Sequence, residues 1–161
     1  MTDEQFNSCV EHYADRVFRF IWKNIRNEHD ANDIVQNAFE ILWRKHAEID
    51  HNKARQYLFT TAYNNMIDQI RKRSRIDHHA EISEDSKIGM NGYDGLKEAL
   101  DKALRTLPEI QKTLVLLKDY EGYSYEEIGE ITDLNPSQVK VYLFRARKSL
   151  QKQLISIHNL V

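Results

Sequence analysis

The chain has 161 residues, of which 41% are hydrophobic and 30% charged, with a net charge of −2. That leaves room for one soluble domain or two small ones, and no apolar run approaches the ~20 residues of a membrane span. Cys9 stands alone, which excludes an internal disulfide and any multi-cysteine zinc site.

Glycine and proline number only five and two, so turns are few and an all-α fold is expected. The amino-terminal stretch lacks the apolar core of a signal peptide, and the protein is expected to stay in the cytoplasm. The charge is unevenly spread. Residues 1–76 and 96–161 each carry a net +1, whereas residues 77–95 hold one basic and five acidic side chains. Two modest basic patches predict weak DNA affinity for the protein by itself, because phosphate contacts supply most non-specific binding.

A first helix is expected from about Asp3 to Asn27, with Phe6, Val10, Tyr13, Val17, Phe20 and Ile21 facing a core. A second starts at Asp30 and runs to about Lys45, with Ile34, Ala38 and Ile41 or Leu42 inward. Asp33, Gln36, Asn37 and Glu40 give its outer side an acidic, amide-rich surface. His46–Lys53 is polar, lacks an apolar period and reads as a loop. A third helix, about Arg55 to Arg75, buries Phe59, Ala62, Tyr63, Met66 and Ile70. Its other face presents Tyr57, Thr61, Asn64, Asp68, Arg71, Lys72 and Arg75. A polar, aromatic stripe ending in basic residues suits nucleic acid, though basic residues also suit a helix carboxyl terminus.

Residues 77–95 lose the period and gather the excess acid, so they read as a flexible linker. His78 and His79 lie there without the spacing or cysteines of a metal site. Leu96, Leu100, Ala103, Leu104 and Leu107 then share a helical face, and Pro108 opens a helix closed by Gly122.

Ser124–Leu150 reads as helix, tight turn, helix. Ser124 and Glu127 form a capping box. Gly129 is expected where a second helix passes close. Thr132-Asp133-Leu134 forms the turn, and Asn135 caps a second helix with Pro136 at its first position. Val139, Leu143, Ala146 and Leu150 form its buried stripe. Ser137, Val141, Phe144, Arg145 and Lys148 lie opposite, flanked by Gln138, Lys140, Tyr142 and Arg147. No acidic residue follows Asp133. Such a helix fits the major groove, with central side chains on base edges and flanking cations on phosphates; the plainer alternative is a solvated basic face. Arg145 is expected near the centre and Arg147 on a phosphate. No P-loop, nucleophile elbow or paired catalytic carboxylates are present, so catalysis is not expected.

LPEIQKTLVLLKDYEGYSYEEIGEI followed by VKVYLFRARKSL resembles region 4 of extracytoplasmic-function (ECF) sigma factors. DANDIVQNAFEILWR is similar to region 2.2 of that family, and the Tyr57–Arg75 helix to regions 2.3 and 2.4. The resemblance implies a group 4 sigma factor of the sigma-70 family. It would have two small helical domains: region 2 at 1–76, an acidic linker at 77–95 and region 4 at 96–161. Its implied partners are RNA polymerase core, through the β′ clamp helices and the β flap, promoter DNA, and a membrane-bound anti-sigma factor. No cofactor, metal or small-molecule substrate is implied.

By the resemblance, Asp33, Gln36, Asn37 and Glu40 would meet polymerase. The His46–Lys53 loop would capture a flipped minus-ten base. Tyr57, Asn64, Asp68, Arg71, Lys72 and Arg75 would continue that surface. Ser137, Gln138, Lys140, Val141, Tyr142, Phe144, Arg145 and Lys148 would read the minus-thirty-five duplex. The family often has glycine where Asp133 stands, arginine at Tyr142 and a small polar residue at Val141, so a relative's promoter sequence does not transfer. A stand-alone helix-turn-helix regulator with an amino-terminal sensor or dimerisation domain is the alternative. A metal-dependent hydrolase using His46, His51, His78 and His79 is a third alternative, of the enzyme class.

Overall fold

A computed structural model of the protein describes residues 1–76 and 92–159, and side chains over 1–75 and 95–155. Most of the expected linker, with His78 and His79, lies outside the described residues. The chain divides into two compact units, Met1–Ser83 and Glu84–Val161. All regular structure among the described residues is helical, and no described helix is long and apolar enough to cross a membrane.

The first unit packs three helices pairwise: α1 (Asp3–Ile25), α2 (Glu28–Lys45) and α3 (Ala54–Ile76). Thr2 starts α1 through a capping box with Gln5. The helix stops at Arg26, whose left-handed backbone (φ 53°) turns the chain. Asn27 then caps α2 by accepting from the Asp30 N–H, so α2 begins at Glu28 rather than at Asp30 as expected. The core holds Val17, Phe20 and Ile21 of α1, Ile34, Ala38 and Leu42 of α2, and Leu58, Phe59, Ala62 and Met66 of α3. Phe20 and Phe59 meet with ring centroids 5.4 Å apart. Each large apolar side chain buried here is worth about 1.5–3 kcal/mol. Leu58 was not expected inside. It is buried because α3 packs on both α1 and α2, which widens the covered arc beyond one stripe. Phe6, Val10 and Tyr13 are only half-buried.

The second unit comprises α4 (Gly92–Thr106), α5 (Glu109–Val115), α6 (Tyr125–Thr132) and α7 (Pro136–Asn159). Helix α4 begins at Gly92, inside the stretch expected to be linker up to Gly95. Leu96, expected in the core, is 71% exposed. Packing against α7 starts one turn later, where Leu100 shares a cleft with Leu150 and Leu154. Helix α5 opens after Pro108 and widens into one π-turn over Leu116–Tyr120, with the Glu121 N–H bonded to the Leu116 carbonyl. Gly122 (φ 76°) closes it, and the Tyr123 N–H returns to the Leu117 carbonyl. The extra residue in the wide turn shifts the helix phase. Leu114–Leu117 are all buried, and Lys118 and Asp119 reach towards α6 and α7.

Candidate nucleic-acid interface

The helix-turn-helix is built from local hydrogen bonds. Ser124 Oγ accepts from the Glu127 N–H (3.1 Å), and Glu127 Oε1 accepts from the Ser124 N–H (3.0 Å). Asp133 takes the left-handed conformation (φ 59°) that ends α6. The Leu134 N–H then bonds back to the Gly129 carbonyl at 3.0 Å. Asn135 and Gln138 cap α7 reciprocally, at 2.9 and 3.0 Å. The Gly129 expectation is corrected in part. A side chain is excluded there, but by the turn's own backbone, since a Cβ would lie 2.5 Å from the Leu134 carbonyl oxygen.

That turn sets α7 against the unit through Val139, Leu143, Ala146 and Leu150, all buried. The opposite face is open. Ser137, Gln138, Lys140, Arg145 and Lys148 are exposed, and so are Val141 (46%) and Phe144 (67%). Tyr142, on the flank, is half-buried. Exposed apolar side chains beside an arginine suit a groove, where they can meet thymine methyls while the guanidinium reaches guanine.

Arg147 is placed differently from its expectation. Its guanidinium meets the Asp119 carboxylate at 2.6 and 3.3 Å, which holds its pKa above the ordinary value. Lys140 and Lys118 converge on the Tyr125 ring, with ammonium-to-centroid distances of 5.5 and 4.6 Å. Asp119, Lys118 and Tyr125 were not singled out from the sequence. Asp119 and Arg147 are separated by 28 residues, and no local period connects them.

In the first unit, Asn64, Asp68, Arg71, Lys72 and Arg75 are exposed on α3, and Tyr57 is half-buried near its start. Arg73, within the same basic run, pairs with Asp30 of α2. Residues 46–53 are more ordered than a plain loop. They form two short 3₁₀ turns, His46–Glu48 and His51–Lys53. The Met1 amino group donates to the carbonyls of His46 (2.7 Å) and Ile49 (2.9 Å).

His46 stacks on Trp43, with centroids 4.4 Å apart and planes 8° from parallel. Its Nδ1 faces the Trp43 carbonyl (2.5 Å) and its Nε2 the Asp3 carboxylate (2.8 Å). Both neighbours only accept, so an imidazolium donating from both nitrogens satisfies them. The Trp43 carbonyl, then Asp3, accordingly push the His46 pKa up. Cys9 lies buried with its Sγ 3.9 Å from His51 Nδ1, and burial pushes its thiol pKa up.

On α2, Asp33, Gln36, Asn37 and Glu40 are all exposed. Gln36 donates to Glu40 (3.5 Å), and His29 lies 3.4 Å from Asp33. Asn37 accepts from Asn65 of α3 at 2.6 Å, so one end of this surface is tied to the helix carrying the other site. Among the described residues no group of three or more His, Cys, Asp or Glu side chains could hold a metal ion.

Comparison with known proteins bears on both units. Residues 9–76 match the family model of sigma-70 region 2, and residues 97–150 that of sigma-70 region 4. The chain is 29% identical to the ECF RNA polymerase sigma factor SigW of Bacillus subtilis, over 94% of this chain and 89% of that one. It is 30% identical to the ECF RNA polymerase sigma factor SigE of Mycolicibacterium smegmatis, over 92% of this chain and 61% of the relative. Among solved structures it is similar to the sigma factor RpoE of Bartonella quintana, determined in complex with the anti-sigma factor NepR. The TM-score is 0.80 and the identity 26%, over 94% of this chain and 97% of that one.

Proposed function

This chain belongs to the ECF sigma factors of the sigma-70 family, which bind RNA polymerase core and direct promoter-specific initiation, and we propose how its surfaces divide that work. Residues 1–76 serve as region 2, 77–95 as the linker and 96–161 as region 4, within group 4 of the family. Asp33, Gln36, Asn37 and Glu40 meet the β′ clamp helices. The 46–53 segment takes the flipped minus-ten base, a step that requires unstacking and a pocket. Tyr57, Asn64, Asp68, Arg71, Lys72 and Arg75 continue that contact. Ser137, Gln138, Lys140, Val141, Tyr142, Phe144, Arg145 and Lys148 face the minus-thirty-five duplex, while region 4 also meets the β flap.

The observation that carries this reading is the open face of α7, where Arg145, Lys148 and the exposed Val141 and Phe144 stand opposite a buried stripe. In this reading the protein acts in the cytoplasm, where its polymerase partner works. The complex of RpoE with NepR supports an anti-sigma partner for this chain too, and we assign it a membrane-bound one.

The test is transcription from a library of minus-thirty-five sequences by holoenzyme carrying Arg145→Ala. A central arginine gives about 1–3 kcal/mol of base discrimination, so the loss should depend on the sequence. Equal losses on every sequence would place the helix wrongly. Lys72→Ala should instead reduce opening of the minus-ten segment, read by permanganate footprinting, whatever the minus-thirty-five sequence.

A further inference from the structure

The flank of α7 nearest the π-turn gathers three cations, Lys118, Lys140 and Arg147, around Tyr125 and one carboxylate, Asp119. Among the described residues Arg147 is the cation of α7 that has a carboxylate partner, and the contact uses both carboxylate oxygens. Arg147 is 46% and Asp119 42% exposed. An ion pair this open contributes little to stability, because water screens it and two side chains lose freedom to form it. Its effect on the charge offered to DNA is larger. With Asp119 in place, the guanidinium is committed within the protein and points its donors at a carboxylate instead of a phosphate.

We propose that Asp119 is a positioning residue: it withholds Arg147 from the DNA backbone and so keeps sequence-independent affinity low. Phosphate contacts strengthen binding to every sequence alike, whereas base contacts discriminate. Removing one phosphate contact from the total therefore lowers affinity for every duplex by about the same factor, which limits retention on the far more numerous non-promoter sites while the base contacts set the ratio between them. The π-turn is what brings Asp119 to α7, which gives that irregular turn a role in setting the general affinity for DNA. This inference rests on the reading of α7 as the helix that meets duplex DNA.

The test uses holoenzyme containing the full chain and two duplexes. One is selected from a randomised pool by the wild-type holoenzyme, and the other is a scrambled version. Affinity for each is measured over a salt series for wild type, Asp119→Ala, Arg147→Gln and Arg145→Ala. Asp119→Ala should bind the scrambled duplex about five- to tenfold more tightly at 0.1 M salt, with a slope steeper by about 0.9, as one further phosphate contact requires. The selected duplex should gain by about the same factor, so the preference for it should stay as in the wild type. Arg147→Gln should keep the wild-type slope.

Weaker binding of Asp119→Ala at an unchanged slope would make the pair a plain strut and overturn the proposal. A flattened slope in Arg147→Gln would show Arg147 already on a phosphate, with the same consequence, and it decides the matter alone if Asp119→Ala does not fold. Arg145→Ala reports on the underlying reading. If it leaves discrimination intact, α7 is not the reading helix and the inference falls with that assignment. If it loses discrimination while Asp119→Ala behaves as wild type, only the inference falls.

Discussion

Gly129→Ala should damage the helix-turn-helix, although alanine is the better helix former. The added Cβ would sit 2.5 Å from the Leu134 carbonyl oxygen, well inside van der Waals contact. The obstacle is backbone, and the same segment is held by the Leu134 N–H bond to the Gly129 carbonyl, so it cannot swing aside as a side chain would. Overpacking of this kind costs about 1–3 kcal/mol, occasionally more. Replacing glycine by alanine within a helix returns about 1 kcal/mol. The clash lies at the severe end, so a net loss of about 1–2 kcal/mol is expected. For a unit of this size that is a fall in Tm of about 4–16 °C.

Thermal unfolding followed by circular dichroism reads the shift, and minus-thirty-five binding reads the displaced α7. Gly95→Ala is the control, since a Cβ there meets nothing within 4 Å and the residue lies in α4. It should leave Tm unchanged or raise it slightly. A Gly129→Ala protein as stable as wild type, with normal DNA affinity, would refute the close approach of the turn.

Asp133→Gly should stabilise the second unit by roughly 0.5–1 kcal/mol, because Asp133 holds a left-handed backbone that glycine adopts freely; urea unfolding reads this, and a loss of stability would show that the aspartate supports the turn. Asp33→Lys combined with Gln36→Ala should weaken core binding roughly tenfold or more in a pull-down titration, while leaving the fold intact by circular dichroism. Unchanged affinity would remove that face of α2 from the interface.

The His46 pKa is raised in the folded state, so its stabilising contribution is complete below its ordinary value of 6.5 and is lost as pH rises through the folded value. The stability difference between wild type and His46→Gln should therefore shrink as pH rises through that window. A difference independent of pH would show that protonation does not secure the 46–53 segment.

The stripe Val139, Leu143, Ala146 and Leu150 was legible because helical period alone determines it, and all four are buried. The caps at Ser124 and Asn135 were legible because they depend on residues three apart. Leu96 shows where period fails, since it says which residues share a face but not which turn of the face a neighbour covers. The same limit explains Leu58, buried by a second neighbour. The ordering of 46–53 depends on Asp3, 43 residues away from His46, and the Asp119 contact on a π-turn whose phase follows from packing. At Gly129 the need for a missing side chain was legible, but the group that imposes it was not.

Promoter selection is what this chain confers on RNA polymerase. Core polymerase, purified without any sigma subunit, is incubated with the protein and a genomic DNA library, and the 5′ ends of the transcripts are mapped. Discrete start sites preceded by a shared pair of elements near minus ten and minus thirty-five are expected, absent when the protein is omitted. Transcripts without common upstream elements, or no response to the protein while it still binds DNA, would contradict it and favour a stand-alone helix-turn-helix regulator.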